Sequence, residues 1–275
     1  NEQKFYNTDW QKEIYQTALS FDNNVTVTGS IKNVPFRASL GATNQEGILR
    51  TSDFDRYTAS LNVNPSLLED HLKVNLSAKY MYAKTTYADG GAVGAAVGMD
   101  PTKPVRSSDA RYKNFGGYFH PSQNGSVLGD SQWPETKIDL ATANPVSMLD
   151  LKNDVAKSHA FVGNMELDYQ VHGLEDLRLH MNMGADVSGG RQDTEVTPAS
   201  GTNTYYGYNG WEKIDKYNLS YNAYAQYNKT FDEVHHFDIM AGYEWQHFYR
   251  KGKSYGSGVY PETNNNAGLR GTPYH

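Results

Sequence analysis

Cysteine is absent from the 275 residues. Disulfide scaffolds, thiolate metal sites and cysteine nucleophiles are therefore excluded together. Long hydrophobic runs are missing as well: no stretch reaches about 18 apolar residues, which excludes a helical membrane span. The mean hydropathy of −0.71 agrees. A β-strand span escapes that test, because its apolar residues are diluted one-to-one by residues of the other face. Charge is sparse at 20% of residues. Its balance is acidic, with a net charge of −6 and a pI near 5.8. No clustered basic face of the phosphate-tracking kind is visible along the sequence, so nucleic acid is set aside as a partner. Asn1 opens the chain without an initiator Met or a signal peptide, which reads as a mature product or an internal piece.

What the chain has in excess is tyrosine, 21 residues against 10 Phe and 4 Trp. Aromatics of this kind suit strands, interfaces and sugar contacts. Their placement is periodic. In 217–228, Tyr217, Leu219, Tyr221, Ala223, Ala225 and Tyr227 take the odd positions, and Asn218, Ser220, Asn222, Gln226 and Asn228 most of the even ones. The same alternation runs through Phe36–Ala42, Tyr57–Val63, Leu72–Tyr82, Phe161–Val171, Leu177–Val187 and Phe237–Trp245, with a shorter strand around Val25 and Val27. That is about eight strands. Several keep the pattern for about 11 residues, twice the usual soluble strand and the length that crosses an outer membrane at a tilt.

The connections alternate too. Residues 32–34, 65–71, 172–176 and 229–235 are short, whereas 45–53, 85–157, 188–215 and 251 onward form the other set. A structureless insertion as long as 85–157 is rare in a compact soluble domain. Outer-membrane barrels have short periplasmic turns and longer extracellular loops. The expectation is an all-β, transmembrane antiparallel β-barrel, with charged and amide residues lining its lumen and the apolar row facing lipid. Lys73, Lys79, Glu166, Asp168, Arg178 and His180 are the lumen-lining candidates, able to line a solute path. Tyr217 and Tyr227, at opposite ends of one strand, suit the two headgroup belts.

One segment breaks the pattern. In NTDWQKEIYQTA, 7–18, Thr8 and Gln11 stand at capping-box spacing, and Trp10, Ile14 and Ala18 fall at i, i+4 and i+8. The spacing predicts a short amphipathic helix ahead of the first strand. The long loops are rich in Gly, Pro and aromatics. One reading is ordinary loop chemistry, with Gly and Pro supplying turns. The sharper one makes Tyr118, Phe119, Trp133, Tyr205, Tyr206 and Trp211 part of an outward binding surface or partner interface.

Catalytic and metal chemistry is not legible. His235 and His236 are adjacent in a strand and point to opposite faces. His120 and His159 are isolated, and no HExxH, phosphate-binding Gly loop or GxSxG occurs. Glu46, Asp53, Asp55, Glu69 and Asp70 fit solvated charge at connections. No catalytic residue, metal ligand or cofactor is assigned, and the chain reads as a non-enzyme.

The segments NTDWQKEIYQTA, NNVTVTGS (23–30) and RASLGATNQEGILRTSDFDRYTASLNVNPSLLEDHLKVNLSAKY (37–80) resemble SusC/RagA-type TonB-dependent outer-membrane transporters. The likeness is specific over 7–84 and compatible with the strand order beyond. It implies a 22-stranded barrel, wide enough to need plugging, of which this chain supplies about eight strands. It also implies a helical lead-in at the plug–barrel junction, 1–22, followed by partial barrel, 23–275, with extracellular loops at 85–157, 188–215 and 251–275. The implied function is import of a nutrient, an oligosaccharide or peptide, across the bacterial outer membrane. The implied partners are a SusD-like surface lipoprotein, the TonB-ExbB-ExbD energy-coupling complex and outer-membrane lipid. The rival reading is a small non-transporting outer-membrane β-barrel or a soluble glycan-binding β protein, since eight strands can close by themselves.

Overall fold

The period-two segments fold as long strands that each pair with the next in sequence. The computed structural model describes residues 5–121, 140–202 and 207–258. The strands are β1 (Ser20–Ile31), β2 (Val34–Glu46), β3 (Asp53–Val63), the two-residue β4 (Ser66–Leu67), β5 (Leu72–Thr86), β6 (Lys152–Gln170), β7 (Leu177–Val196), β8 (Tyr208–Phe231) and β9 (His235–Gly258). They form one antiparallel sheet in the order β1-β2-β3-β5-β6-β7-β8-β9, with β4 paired to β5. Among the described residues β1 and β9 do not meet, so these strands do not close on themselves. That removes the self-contained eight-stranded barrel from the alternatives.

An unbroken register gives the sheet two chemically distinct faces. One row across it reads Leu40, Ala59, Tyr80, Phe161, Val187, Tyr217 and Tyr249. A neighbouring row on the opposite face reads Ser77, Asn164, Gly184, Ser220 and Gln246. Among the described residues no second protein layer covers the apolar face: Leu40 is 67% exposed and Ile239 55%. A bare apolar surface of this extent is what lipid covers in a transmembrane barrel wall. A broad depression of about 770 Å³ on it, lined in part by Leu167, Leu179, Met181, Ala223, Ala225 and Tyr243, offers aliphatic contacts.

On β8 the outward face is apolar from Tyr217 to Tyr227. Ten residue steps at about 3.3 Å, tilted by about 40°, make a band roughly 25 Å high, the height of a barrel's lipid belt. The strand itself runs 24 residues, so it continues past the belt at the long-connection end. This corrects the expected loop bounds. Residues 85, 86 and 152–157 extend β5 and β6, 188–196 extends β7, 208–215 belongs to β8 and 251–258 to β9. The alternation of hydropathy fades there because both faces meet water, while backbone pairing continues.

Tight turns hold the other end. Lys32 and Asn33 have φ of 48° and 66°, the two left-handed residues that a two-residue hairpin loop requires. At the long-connection end, α1 (Trp10–Ile14), α2 (Gly91–Gly98), a 3₁₀ turn (Ala110–Phe115) and α3 (Pro145–Asp150) pack into a cap. The described part of 85–157 is therefore folded. The buried apolar core lies here, in Trp10, Ile14, Ala92, Ala96, Met99, Tyr118, Val146 and Leu149, rather than under the sheet.

The predicted helix exists but is shorter than its pattern. It ends at Ile14, and Tyr15 is extended. Asp9 caps it, accepting from the Lys12 N–H at 3.2 Å. Thr8 instead donates its hydroxyl to the Lys103 carbonyl at 2.6 Å. Long-range bonding to the cap outcompetes the local capping box.

Candidate functional site

Two places bring chemically active side chains together: the cap and the polar face of the sheet. In the cap, Asn144 is fully buried. Its Oδ1 accepts from the N–H groups of Val146 and Ser147 at 3.0 and 3.2 Å, capping α3, and its Nδ2 donates to the carbonyls of Val105 and Phe119 at 2.9 and 3.1 Å. Pro145 follows at the first helical position, where its missing N–H costs nothing. One side chain thus starts a helix and holds two strands of loop against it.

At the other end of α3, Asp150 receives Arg50 from the β2–β3 connection at 3.0 Å and the Tyr118 hydroxyl at 2.7 Å. Arg50 also donates to the Glu13 carbonyl of α1 at 3.0 Å. Arg106 bonds the Tyr118 hydroxyl and lies 4.1 Å over its ring. Burial, then the hydrogen bond to Asp150 and its charge, push the Tyr118 phenol up to about 12, against the opposing pull of Arg106 and Arg50. The network locks α1, the β2–β3 connection and the β5–β6 connection into one body. A Cβ at Gly201 would stand 2.5 Å from the His120 ring, so glycine there lets the β7–β8 connection close onto the same body.

One cluster of charges on the polar face lies near the short turns. Lys73, Asp168 and His180 stand side by side in register. Arg178 Nε is 3.0 Å from Asp168, and His180 sits between Glu166 at 3.6 Å and Asp168 at 3.5 Å. The imidazole stacks on Tyr224 at 4.7 Å. Ser66, Lys73, Asn75, Glu166, Asp168 and Arg178 line a cleft of about 400 Å³. The arrangement offers alternating donors and acceptors with matched charges, suited to holding polar groups in water. Among the described residues no group of three or more His, Cys, Asp or Glu is placed to hold a metal ion.

No family model matches the sequence. Over 253 residues, 92% of this chain and 25% of the relative, it is 47% identical to the TonB-dependent receptor SusC of Bacteroides thetaiotaomicron. The chain belongs to the SusC/RagA-type TonB-dependent receptors. TonB-dependent receptors P26 and P3 of Formosa agariphila are 25% and 24% identical over 87% and 90% of the chain, covering 22% and 23% of those proteins. The chain thus spans about a quarter of the length of the curated relatives it matches. The RagAB peptide importer in its closed-closed state superposes with a TM-score of 0.64 at 20% identity, over 98% of this chain and 29% of that one. Its open-open state gives 0.63, over 94% and 27%. At that identity the likeness shows the fold alone, a stretch of barrel wall.

Within the SusC/RagA-type wall, the structure brings together five of the six lumen-lining candidates. Lys73, Glu166, Asp168, Arg178 and His180 converge, and Lys79 stands apart, opposite Val162 and Ser60. The aromatic candidates fare differently. Tyr118 is 3% exposed and belongs to the cap interior, so an outward binding role for its ring is corrected by the network that buries it. Phe119 is half-buried against the same core and stacks obliquely on Tyr112 at 5.3 Å. Trp211 lies within β8, not in a loop, with Arg191 4.9 Å over its ring and Tyr255 stacked at 6.5 Å. Trp133, Tyr205 and Tyr206 lie outside the described residues. Asn144, Asp150 and Arg50 were missed. The Asn-Pro pair before an apolar run was the available signal for Asn144, and nothing local marks the other two.

Proposed function

We propose that this chain is part of the wall of an outer-membrane importer for an oligosaccharide or a peptide, working with a SusD-like surface lipoprotein and powered through TonB-ExbB-ExbD. The observation that carries the reading is the two-faced register: a bare apolar face about 25 Å high backed by an amide-, hydroxyl- and charge-lined face. A solute conduit needs that inner chemistry, and lipid needs the outer. Family membership and the names of the relatives, receptors and an importer, support transport over catalysis.

In this reading the segment before β1 is the lead-in at the plug–barrel junction, ending at residue 19 rather than the expected 22 because β1 pairs from Ser20, and the strands from β1 onward supply wall and loops. The seat of α1 against α2 and α3 supports a lead-in fastened at the long-connection end. The β5–β6 and β7–β8 connections face outward from the cell, and the polar-face cluster around His180 lies toward the periplasmic mouth. Uptake of labelled oligosaccharides and peptides by cells carrying the full transporter tests it. Uptake of one class that stops when TonB is deleted is expected. Uptake that is indifferent to TonB would overturn the energy-coupled reading.

A further inference from the structure

Register brings five cations into line that the sequence scatters over three-fifths of its length. Lys84 of β5 stands opposite Lys157 of β6, Lys157 opposite Arg191 of β7, Arg191 opposite Lys213 of β8, and Lys213 opposite Lys253 of β9. All occupy positions in phase with the apolar row, so they share the outward face. Strands about 4.8 Å apart make the row roughly 19 Å long. Four residues nearer the short turns on the same face run Tyr80, Phe161, Val187, Tyr217 and Tyr249, the last two stacked at 4.7 Å. Four residues of a strand tilted by about 40° lift the cations roughly 10 Å beyond that aromatic row, to headgroup rather than acyl-chain depth.

The facing groups leave an excess of positive charge. Arg191 pairs with Asp193 at 2.7 Å and Lys213 with Asp215 at 3.2 Å, each cation half exposed. One step inward the face carries His159, Asp215 and Lys251, and one step outward Asp193, Trp211 and Tyr255, while Asp55 continues the row on β3. From β5 to β9 these positions hold six fixed cations against two carboxylates, in a chain whose net charge is −6. At the short-turn end of the face, Lys229 is tied to Asp176 at 3.3 Å. Among the described residues the surplus sits at the headgroup level of the long connections.

We propose that Lys84, Lys157, Arg191, Lys213 and Lys253 form a docking row for the phosphorylated headgroup of an acylated glycolipid of the outer leaflet, whose acyl chains lie along the apolar face beneath. The inference rests on the membrane reading above. Continuity argues for a lipid: the row is flush with the uncovered apolar face, and an anion carrying acyl chains satisfies both, whereas a free anion satisfies the row alone. Asp193 holds the Nε–Nη2 edge of Arg191, which leaves its Nη1 edge to donate to a phosphate, and the lysines supply mobile point charges.

The test is native mass spectrometry of the full transporter in detergent, titrated with bis-phosphorylated lipid A, with the same glycolipid enzymatically dephosphorylated, and with inorganic pyrophosphate. At about fivefold per charge, replacing all five residues by Gln weakens phosphorylated lipid A binding by about 3,000-fold. Arg at the four lysine positions keeps it within about threefold. Should the fivefold variant fail to assemble, Lys84→Gln with Lys157→Gln is expected to lose about 25-fold. Equal binding of the dephosphorylated lipid, pyrophosphate binding as tight as lipid A, or unchanged binding by a variant would each overturn the proposal. Heat-modifiable gel migration reports barrel assembly separately, so a protein that stays soluble without detergent sinks the membrane reading rather than this one.

Discussion

Placing one arginine on each face of β8 at the same depth separates the two environments. Ala223 and Asn222 lie at the middle of the Tyr217–Tyr227 belt, on opposite faces. Ala223 faces out between Met181 and Tyr243, and Asn222 faces in between Asn182 and Glu244. Arginine facing lipid at mid-depth costs about 2–4 kcal/mol. At position 222 the guanidinium meets water and the Glu244 carboxylate, worth about 0–1 kcal/mol in its favour. The difference of about 2–5 kcal/mol should make Ala223→Arg roughly 30- to 4,000-fold less stable than Asn222→Arg. The assay is equilibrium guanidinium unfolding of the full transporter refolded into short-chain lipid vesicles, followed by tryptophan fluorescence. Equal midpoints for the two variants, or a lower one for Asn222→Arg, would refute the facing.

The cap yields three further expectations. Asp150→Asn removes the charge shared by Arg50, Arg106 and Tyr118, and should raise hydrogen exchange in 10–19 and 87–121 by about 1–3 kcal/mol while leaving the sheet unchanged; protection unchanged in both segments would contradict the network. Asn144→Ala loses a helix cap and removes the side-chain donor from the Phe119 carbonyl, while the Val105 carbonyl keeps the Phe119 N–H, at a cost of about 1–3 kcal/mol, read as earlier proteolysis of the β5–β6 connection. Tyr118 titrates at about 12 in the folded cap against about 10 when unfolded, so its contribution is complete below 10 and lost as pH rises from 10 to 12, by on the order of 2–3 kcal/mol. Tyrosinate absorbance of the native protein minus that of Tyr118→Phe should show one late-titrating phenol, and a midpoint near 10 would dispose of the argument.

The wall was legible because a strand in lipid repeats every two residues and cannot tolerate an error of register. Tyr217 to Tyr227 shows this directly. Above the belt the reading stopped at Val187 and Tyr217, where both faces become wet, although pairing continues to Val196 and Tyr208. The helix α2, GAVGAAVG, read as loop because Gly is a poor helix former. It folds as a helix because its small residues let α1 and α3 approach, with Ala92 and Ala96 buried against them. Tyr118 misled for a related reason: composition marks aromatics in loops, but only the long-range partners Asp150, Arg50 and Arg106 decide that this one is interior. The basic row was invisible along the chain, since its members are neighbours only through register.

Oxygen accessibility of spin labels along 217–227 tests the central claim most directly, and the absence of cysteine from these 275 residues leaves no competing thiol within them. In the full transporter in lipid, odd positions should be exposed to lipid-dissolved oxygen and even positions to a water-soluble nickel chelate, alternating without a break. Labels at Leu219 and Leu179 shielded from both reagents would mean that protein covers the apolar face, and the account of a lipid-facing wall would fail.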